Sequence, residues 1–272
     1  MNAIVEGAAG ARAMRGLAAG TGGAEGLIYH EEVMPFTVKI VRTETELSKA
    51  VQIRHAAYAR HVPELAKLLR EAEPYDHDEG AVVLLAESKL DGAPLGTMRV
   101  QTNLCRPLAL EGSVELPDWL QGCVLAEATR LGVTLGRVGH LVKTMLFKAY
   151  FHYCLEMEVD WMVVAGRSPL DRQYDALLFS DVFPGRGYIP MQHAGNIPHR
   201  VLAMEPKSLE PIWREARHPL YDSCFRTHHP DVDLGALDRR EPILSAARRT
   251  VEGLLNMGRA FSAEPDAAVL AA

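Results

Sequence analysis

Apolar and polar residues alternate along residues 36–41, which is the pattern of a strand with one buried face. Thr43 and Glu46 follow at the spacing of a capping box and predict the start of a helix. Five residues then fall at helical spacing: Leu47, Ala50, Val51, Arg54 and Tyr58. The first elements after residue 35 are therefore predicted to be a strand and a helix.

The middle of the chain is predicted to form three strands and a helix. Two apolar-rich segments, 81–86 and 95–102, flank Asp91-Gly92, a strong signal for a hairpin. A third strand is predicted at 124–133, and apolar residues at helical spacing predict a helix at 142–153. A glycine-containing turn at 134–139 joins the two.

A near-continuous apolar run at 159–165 predicts a buried strand. Pro169 opens another helix, and two last strands are predicted at 188–191 and 200–204. The residues that mark this helix are Leu170, Tyr174, Leu177 and Leu178. The order of elements predicts an α+β fold, with a central, mostly antiparallel twisted sheet flanked by helices.

Composition divides the chain into three parts. Residues 1–34 are rich in Gly and Ala and are predicted to be a disordered arm. Residues 35–206 form the predicted core, and residues 207–272 form a helical C-terminal extension. Helices are predicted there at 209–216 and 243–257, with a His-rich connection at 226–231 and a loose tail at 264–272.

Composition also limits the classes of function. The formal net charge of −6, without a long basic run, argues against nucleic acid as a partner. Widely spaced cysteines, without a CxxC motif, indicate reduced thiols in a cytoplasmic protein and no zinc site. No segment has the apolar character of a signal peptide or of a membrane helix, so a cytoplasmic location without stable membrane insertion is expected.

The most informative stretch is the strand, turn and helix from Glu127 to Lys148. A glycine-bearing turn that leads into a helix N-terminus offers free backbone N–H groups to an anionic or oxyanionic ligand. Gly136 and Gly139 supply that turn, although the same two glycines are equally compatible with a tight turn that binds nothing.

Several motifs resemble those of long-chain N-acyl amino acid synthases, which are relatives of the acyl-homoserine-lactone synthases and have a GNAT-like fold. The matching stretches cover about residues 36 to 232. They are 75–78, 96–100, 125–131, 146–149, 181–184 and 197–200. The resemblance implies transfer of a long-chain fatty acyl group from acyl carrier protein to the α-amine of an amino acid, with no cofactor beyond the donor substrate. Acyl-CoA is the alternative donor.

The resemblance also implies a set of active-site residues. The positions that match are Arg54, Asp76 with Asp78, Arg99, Glu127 and Arg130, and Thr129 is expected in the substrate site. Glu127 is the candidate general base, directly or through a water, and Arg99 and Arg130 complete the predicted catalytic set. Either arginine could hold the carboxylate of the acceptor.

Two alternatives remain open for this set. Glu127 could instead pair with Arg99 or Arg130 simply to satisfy buried charges. The equivalent carboxylate among Asp76, Asp78 and Glu79 is undecided.

Residues 127 and 130 are separated by an odd number, so a regular strand would point them to opposite faces of the sheet. Both can serve one cleft only if the strand contains a β-bulge, a feature that is common beside active sites.

The donor side is predicted around the turn and the helix that follows it. Arg137, Lys143 and Lys148 could form a local basic patch for an acidic carrier protein. The residues predicted to bind the carrier or its pantetheine arm are Leu131, Val133, Arg137, Gly139, Lys143 and Lys148. Tyr174 could protonate the departing thiolate. Residues for an acyl tunnel, or alternatively for ordinary core, are Met145, Phe147, Trp161 and Met162.

A metal site is not predicted, because His199 and the His228-His229 pair have no carboxylate or cysteine at ligand spacing. Two rival functions remain: an acyl-homoserine-lactone synthase, and a non-catalytic module that binds an acyl carrier.

Overall fold

The computed structural model describes residues 30–237 of the chain. Most of the predicted N-terminal arm, the predicted helix at 243–257 and the predicted tail lie outside these residues. The arm was predicted to extend too far, because Met34 is buried and His30–Glu31 form a strand.

The described part of the chain contains eleven strands and five α-helices. The strands are β1 (His30–Glu31), β2 (Phe36–Ile40), β3 (Ala81–Ser88), β4 (Pro94–Thr102), β5 (Leu125–Val133), β6 (Trp161–Arg167), β7 (Ser180–Asp181), β8 (Ile189–Met191), β9 (Ile197–Met204), β10 (Thr227–His228) and β11 (Val232–Asp233). The helices are α1 (Glu44–Ala59), α2 (Pro63–Leu68), α3 (Gly136–Glu156), α4 (Asp171–Ala176) and α5 (Pro206–Glu215).

The main sheet has nine strands, eight of them in the order β11-β2-β3-β4-β5-β6-β9-β7, with β8 also paired to β9. Neighbouring strands of this sheet are antiparallel, except that β5 is parallel to β6 and β11 is parallel to β2. The prediction of a mostly antiparallel sheet is therefore confirmed. The parallel pair β5–β6 is connected by α3, the crossover helix that such a pair requires.

Apolar layers cover both faces of the sheet. Helix α3 packs on the face that carries Val38, Leu84 and Val100. Helix α1 packs on the opposite face, against Val83 and Leu85. No helix among residues 30–237 has the length and apolar character needed to cross a membrane.

Local sequence explains where α1 begins and how closely it approaches the sheet. The Thr43 side chain accepts a hydrogen bond from the Glu46 N–H at 3.3 Å, and the Glu46 carboxylate accepts one from the Thr43 N–H at 3.2 Å, which confirms the capping box. At Gly132 on β5, a Cβ atom would lie 3.2 Å from the Cα of Arg54. The missing side chain lets α1 lie against β5, and this contact brings Arg54 over the sheet.

The segment after residue 206 shares the core of the sheet. Trp213 on α5 stacks on Phe147 of α3, with ring centroids 5.9 Å apart. The predicted His-rich connection contains β10, which pairs with β1, and β11 then pairs with β2 at the sheet edge. The sequence pattern predicted neither strand, because each is two residues long and is held by a distant partner.

Candidate active site

A β-bulge on β5 places the candidate residues on one face. Thr129 pairs with Arg99 and Gly132 pairs with Thr97, so three steps on β5 match two on β4. Arg130 occupies the extra position and has a left-handed φ of 55°. The predicted bulge is confirmed, and it lies at Arg130 itself. As a result, the Arg130 side chain reaches the same cluster as Arg99.

Three arginines and two carboxylates form this cluster. Arg54 donates to both oxygens of Asp76, at 2.7 and 2.8 Å. Arg130 donates to both oxygens of Glu73, each at 2.7 Å. Arg99 lies between them and donates to Glu73 at 3.1 Å and to Asp76 at 3.3 Å. Burial alone would raise the pKa of Asp76, but the bonds from Arg54 and the charges of Arg54 and Arg99 lower it overall.

The cluster contains Asp76, one of the three acidic residues that the sequence left undecided. Asp76 belongs to it, whereas Asp78 pairs outside it with Arg106, and a role of Asp78 in substrate binding stays a prediction. Glu73 was missed, although it stands three residues before Asp76 in the same Pro-containing turn and three buried arginines require more than one carboxylate.

Burial separates the roles of the three arginines. Arg54 and Arg99 are 0% and 1% exposed, so neither side chain faces solvent. Arg130 lines the large cavity described below, together with Thr129, whose hydroxyl accepts from Arg99 at 3.2 Å. Arg54 and Arg99 therefore lie on the buried side of the cluster, and Arg130 is its member in the cavity wall.

Glu127 lies on the same face of the sheet as the cluster but deeper in the protein. It is fully buried, and burial raises its pKa to about 7, opposed by a hydrogen bond from the Leu110 N–H and by the charges of Arg99 and Arg130. Its Oε2 accepts that bond at 3.1 Å. With this pKa the carboxylate can take up or release a proton near neutrality, as a general base requires.

His193, a titratable neighbour of Glu127, was not predicted from the sequence. Its Nε2 lies 3.7 Å from Glu127 Oε1, and its carbonyl accepts from Arg130 at 2.8 Å. Burial, with the charge of Arg130, lowers the pKa of His193 to about 4, so the ring is neutral. The sequence carried no signal for it, because it lies on a short 3-10 turn far from Arg130 along the chain.

A cavity of about 400 Å³ opens where β5 and β6 separate. Their pairing ends at Ala128 and Val164, although β5 continues to Val133 and β6 to Arg167. The cavity wall includes five of the residues predicted for the substrate or donor: Thr129, Leu131, Val133, Gly139 and Lys143.

The N-terminus of α3 faces the mouth of the cavity. Residues 134–136 line it, and the N-cap residue Leu135 makes no side-chain cap, so the first N–H groups of the helix remain available to a ligand. The first turn contains no acidic residue. This end of the helix is therefore suited to an anionic or amide-bearing donor.

The turn depends on Gly139. A Cβ atom at this position would lie 1.9 Å from the carbonyl oxygen of Thr134. We expect Gly139→Ala to force the turn open and to lower the free energy of unfolding by about 1–3 kcal/mol. Chemical denaturation measures this loss. Gly112→Ala, whose Cβ would meet its nearest atom at 3.8 Å, is the control that should remain near wild type, and equal stability of the two variants would contradict the expectation.

Apolar side chains line the interior of the cavity. They include Met98, Phe147, Val164, Leu177 and Leu220. Of the predicted tunnel residues only Phe147 is among the lining residues. Met145 and Met162 are completely buried in the core, and Trp161 packs edge-on against Trp119. Tyr174 also lines the cavity, and burial raises its pKa to about 12.

The predicted basic patch is smaller than expected. Arg137 is exposed, and Lys143 is half-buried and donates to Gln173 at 2.8 Å. Lys148 is buried, and its ammonium donates to the carbonyls of Ser223 and Thr227. Lys148 therefore anchors the segment that leads into β10 and is not part of an exposed basic patch, and its role in carrier binding stays a prediction.

The chain resembles known proteins in its three-dimensional structure. No protein-family model matches the chain, and no curated protein matches it. Many solved structures do. One is FeeM, an N-acyl amino acid synthase from uncultured soil microbes, with a TM-score of 0.55, 16% identity, and 66% of this chain and 96% of that chain covered.

A second is BjaI, a CoA-dependent acyl-homoserine lactone synthase solved with MTA, with a TM-score of 0.50, 16% identity, and 78% of this chain and 99% of that chain covered. These identities are too low to carry more than the fold. The chain has the α+β, GNAT-like fold seen in an N-acyl amino acid synthase and in an acyl-homoserine lactone synthase, as its sequence predicted.

Proposed function

We propose that the protein transfers a fatty acyl group from a carrier thioester to the α-amine of an amino acid and releases an N-acyl amino acid. The observation that carries this proposal is the cavity between β5 and β6. It has a helix N-terminus at its mouth, apolar side chains inside, and Arg130 in its wall. A thioester donor needs the first two features, and an acceptor with a carboxylate needs the third.

The charge of the cluster favours an anionic acceptor. Three guanidinium groups face two carboxylates, Glu73 and Asp76, so the cluster carries an excess positive charge whenever Glu127 is protonated. Arg130 is the member of the cluster that lines the cavity. An amino acid carboxylate beside Arg130 would balance this charge and place the neighbouring α-amine in the cavity.

The surface at the mouth supports acyl carrier protein as the donor. Leu135, Val138 and Leu141 are exposed there beside Arg137. Exposed apolar residues next to a basic residue suit an acidic protein partner better than they suit bulk water. An acyl-CoA donor would place its phosphates at the same helix N-terminus and remains the alternative.

Reaction of the purified protein with acyl carrier protein charged with a long acyl chain, and with each amino acid in turn, tests the proposal. We expect mass spectrometry to detect an N-acyl amino acid. An acyl-homoserine lactone that requires S-adenosylmethionine would replace the proposal with the related synthase activity. The absence of any acylated product with both acyl carrier protein and acyl-CoA donors would refute acyl transfer.

A charge reversal at the mouth identifies the donor. We expect Arg137→Glu to lower kcat/KM with the carrier-protein donor by about tenfold, because it repels an acidic partner. With acyl-CoA, kcat/KM should change less. Lys67→Glu, on the exposed surface of α2, is the control. Equal kcat/KM values for wild type and Arg137→Glu with the carrier protein would count against this docking surface.

A further inference from the structure

His199 is a buried histidine in the wall of the cavity. The histidines that line the cavity are His61, His140 and His199, and only His199 is buried, at 8% exposure. Val163 on β6 pairs with Glu127 on β5 and with Ala203 on β9. His199 lies four residues before Ala203 on β9 and pairs with Arg167. Since side chains alternate along a strand, His199 lies on the same face of the sheet as Glu127.

One hydrogen bond fixes the tautomer of His199. Its Nδ1 lies 2.6 Å from the carbonyl oxygen of Ile197. A carbonyl only accepts, so Nδ1 carries the proton and Nε2 of the neutral ring carries the lone pair. Within residues 30–237, Nε2 has no hydrogen-bond partner.

The surroundings of His199 keep the ring neutral. Burial lowers its pKa, and the charges of Arg167 and Arg130 lower it further, opposed by the bond to Ile197. The two histidines are electrostatically coupled, because the charge of a protonated His199 lowers the pKa of His193. The wall of the cavity thus contains an unprotonated imidazole nitrogen at neutral pH.

Glu127 has no comparable access. It is not among the residues that line the cavity, and it is fully buried. A proton that leaves an amine inside the cavity therefore meets His199 before it can reach Glu127.

We propose that Nε2 of His199 accepts the proton of the attacking amine. The inference rests on the proposed function. The amine nitrogen bonds to the thioester carbonyl carbon, the C–S bond breaks, and the carrier leaves as its thiolate. The proton taken by Nε2 then passes to that thiolate or to solvent. Glu127, whose Oε1 lies 3.7 Å from Nε2 of His193, is the second proton acceptor when His199 is charged.

His199→Asn is the test variant, because the Asn amide can still donate to the Ile197 carbonyl while the basic nitrogen is lost. We expect kcat for N-acylation to fall about 100-fold with little change in KM. In wild type, kcat/KM should fall at acid pH as His199 takes up a proton. In the variant the part of this acid limb that belongs to His199 should be missing. Imidazole in the buffer should restore activity to His199→Ala, which a purely structural role would not allow.

The control is His228→Asn, an exposed histidine that does not line the cavity, which should match wild type. If wild type and His199→Asn have equal kcat and equal pH profiles, the inference is overturned while the proposed function stands. If the wild-type protein forms no acylated product, the proposed function and this inference fail together. Circular dichroism and thermal unfolding of His199→Asn separate a loss of chemistry from a loss of fold.

Discussion

Glu127→Gln is expected to lower kcat for N-acylation, but by less than the roughly 100-fold loss expected for His199→Asn, because Glu127 is the second proton acceptor. The carboxylate has a pKa of about 7 and lies in contact distance of His193, so it can exchange a proton at neutral pH, whereas an amide cannot. Binding of the acyl donor should be unchanged, because Glu127 does not line the cavity. Single-turnover assays and donor titrations measure the two properties separately.

The same substitution should stabilise the protein at neutral and alkaline pH. The folded-state pKa of about 7 lies above the ordinary value of 4.5, so the stability linked to this proton is fully present below pH 4.5 and is lost as pH rises through 7. The shift corresponds to about 3 kcal/mol. The free energy of unfolding of Glu127→Gln relative to wild type should rise by about this amount between pH 4 and pH 8.

Denaturant unfolding across this pH range measures the difference, with Glu115→Gln as an exposed carboxylate control. A difference that does not vary with pH would contradict the raised pKa. A variant that keeps its donor affinity but also keeps full acyl transfer would remove Glu127 from the chemistry. A wild-type protein that only binds donors and never transfers the acyl group would instead support the non-catalytic module.

Asp76→Asn should cost about 3–5 kcal/mol of stability, because it removes the charged partner of two buried arginines. Arg54 is 0% exposed and makes both of its short carboxylate bonds to Asp76, and Arg99 is 1% exposed. Asn keeps the size of the side chain but not its charge. The folded-state pKa of Asp76 is lowered, so its stability is present above the ordinary pKa of 3.8 and is lost as pH falls through the folded value.

Asp78→Asn is the matched control, since it makes the same change two residues away. Asp78 pairs with Arg106, which is 40% exposed, so the loss should stay below about 1 kcal/mol. Thermal and denaturant unfolding of both variants at pH 7 measures the contrast. Similar losses for the two variants would show that the buried cluster does not depend on Asp76 in particular.

Much of the secondary structure follows from local sequence. Period-2 alternation predicts β2, an apolar-rich segment beside a hairpin signal predicts β4, and the capping box at Thr43 and Glu46 predicts the start of α1. The same alternation places Arg99 and Gln101 on one face of β4. These features depend on neighbouring residues, which is why sequence patterns capture them. Helix α3 begins at Gly136, six residues before its predicted start, because its first turn has no regular apolar spacing.

The candidate site could be predicted only in part. The odd spacing of Glu127 and Arg130 required a bulge, and the structure contains one at Arg130. Pairing across the fold decides the rest. Asp76 rather than Asp78 meets Arg54 because of the path of a short 3-10 turn, and Glu73 shares that turn.

The sequence by itself determined the α+β order of elements and the residue types available for the proposed acyl transfer. Only the tertiary structure decided that Lys148 is a buried anchor, that His193 and His199 approach the Glu127 side of the sheet, and that the cavity opens where β5 and β6 separate. The physical reason is that local patterns record which face of an element is buried, whereas a site is made by residues that are distant in sequence. Their distances are set by the packing of α1 and α3 on opposite faces of one sheet.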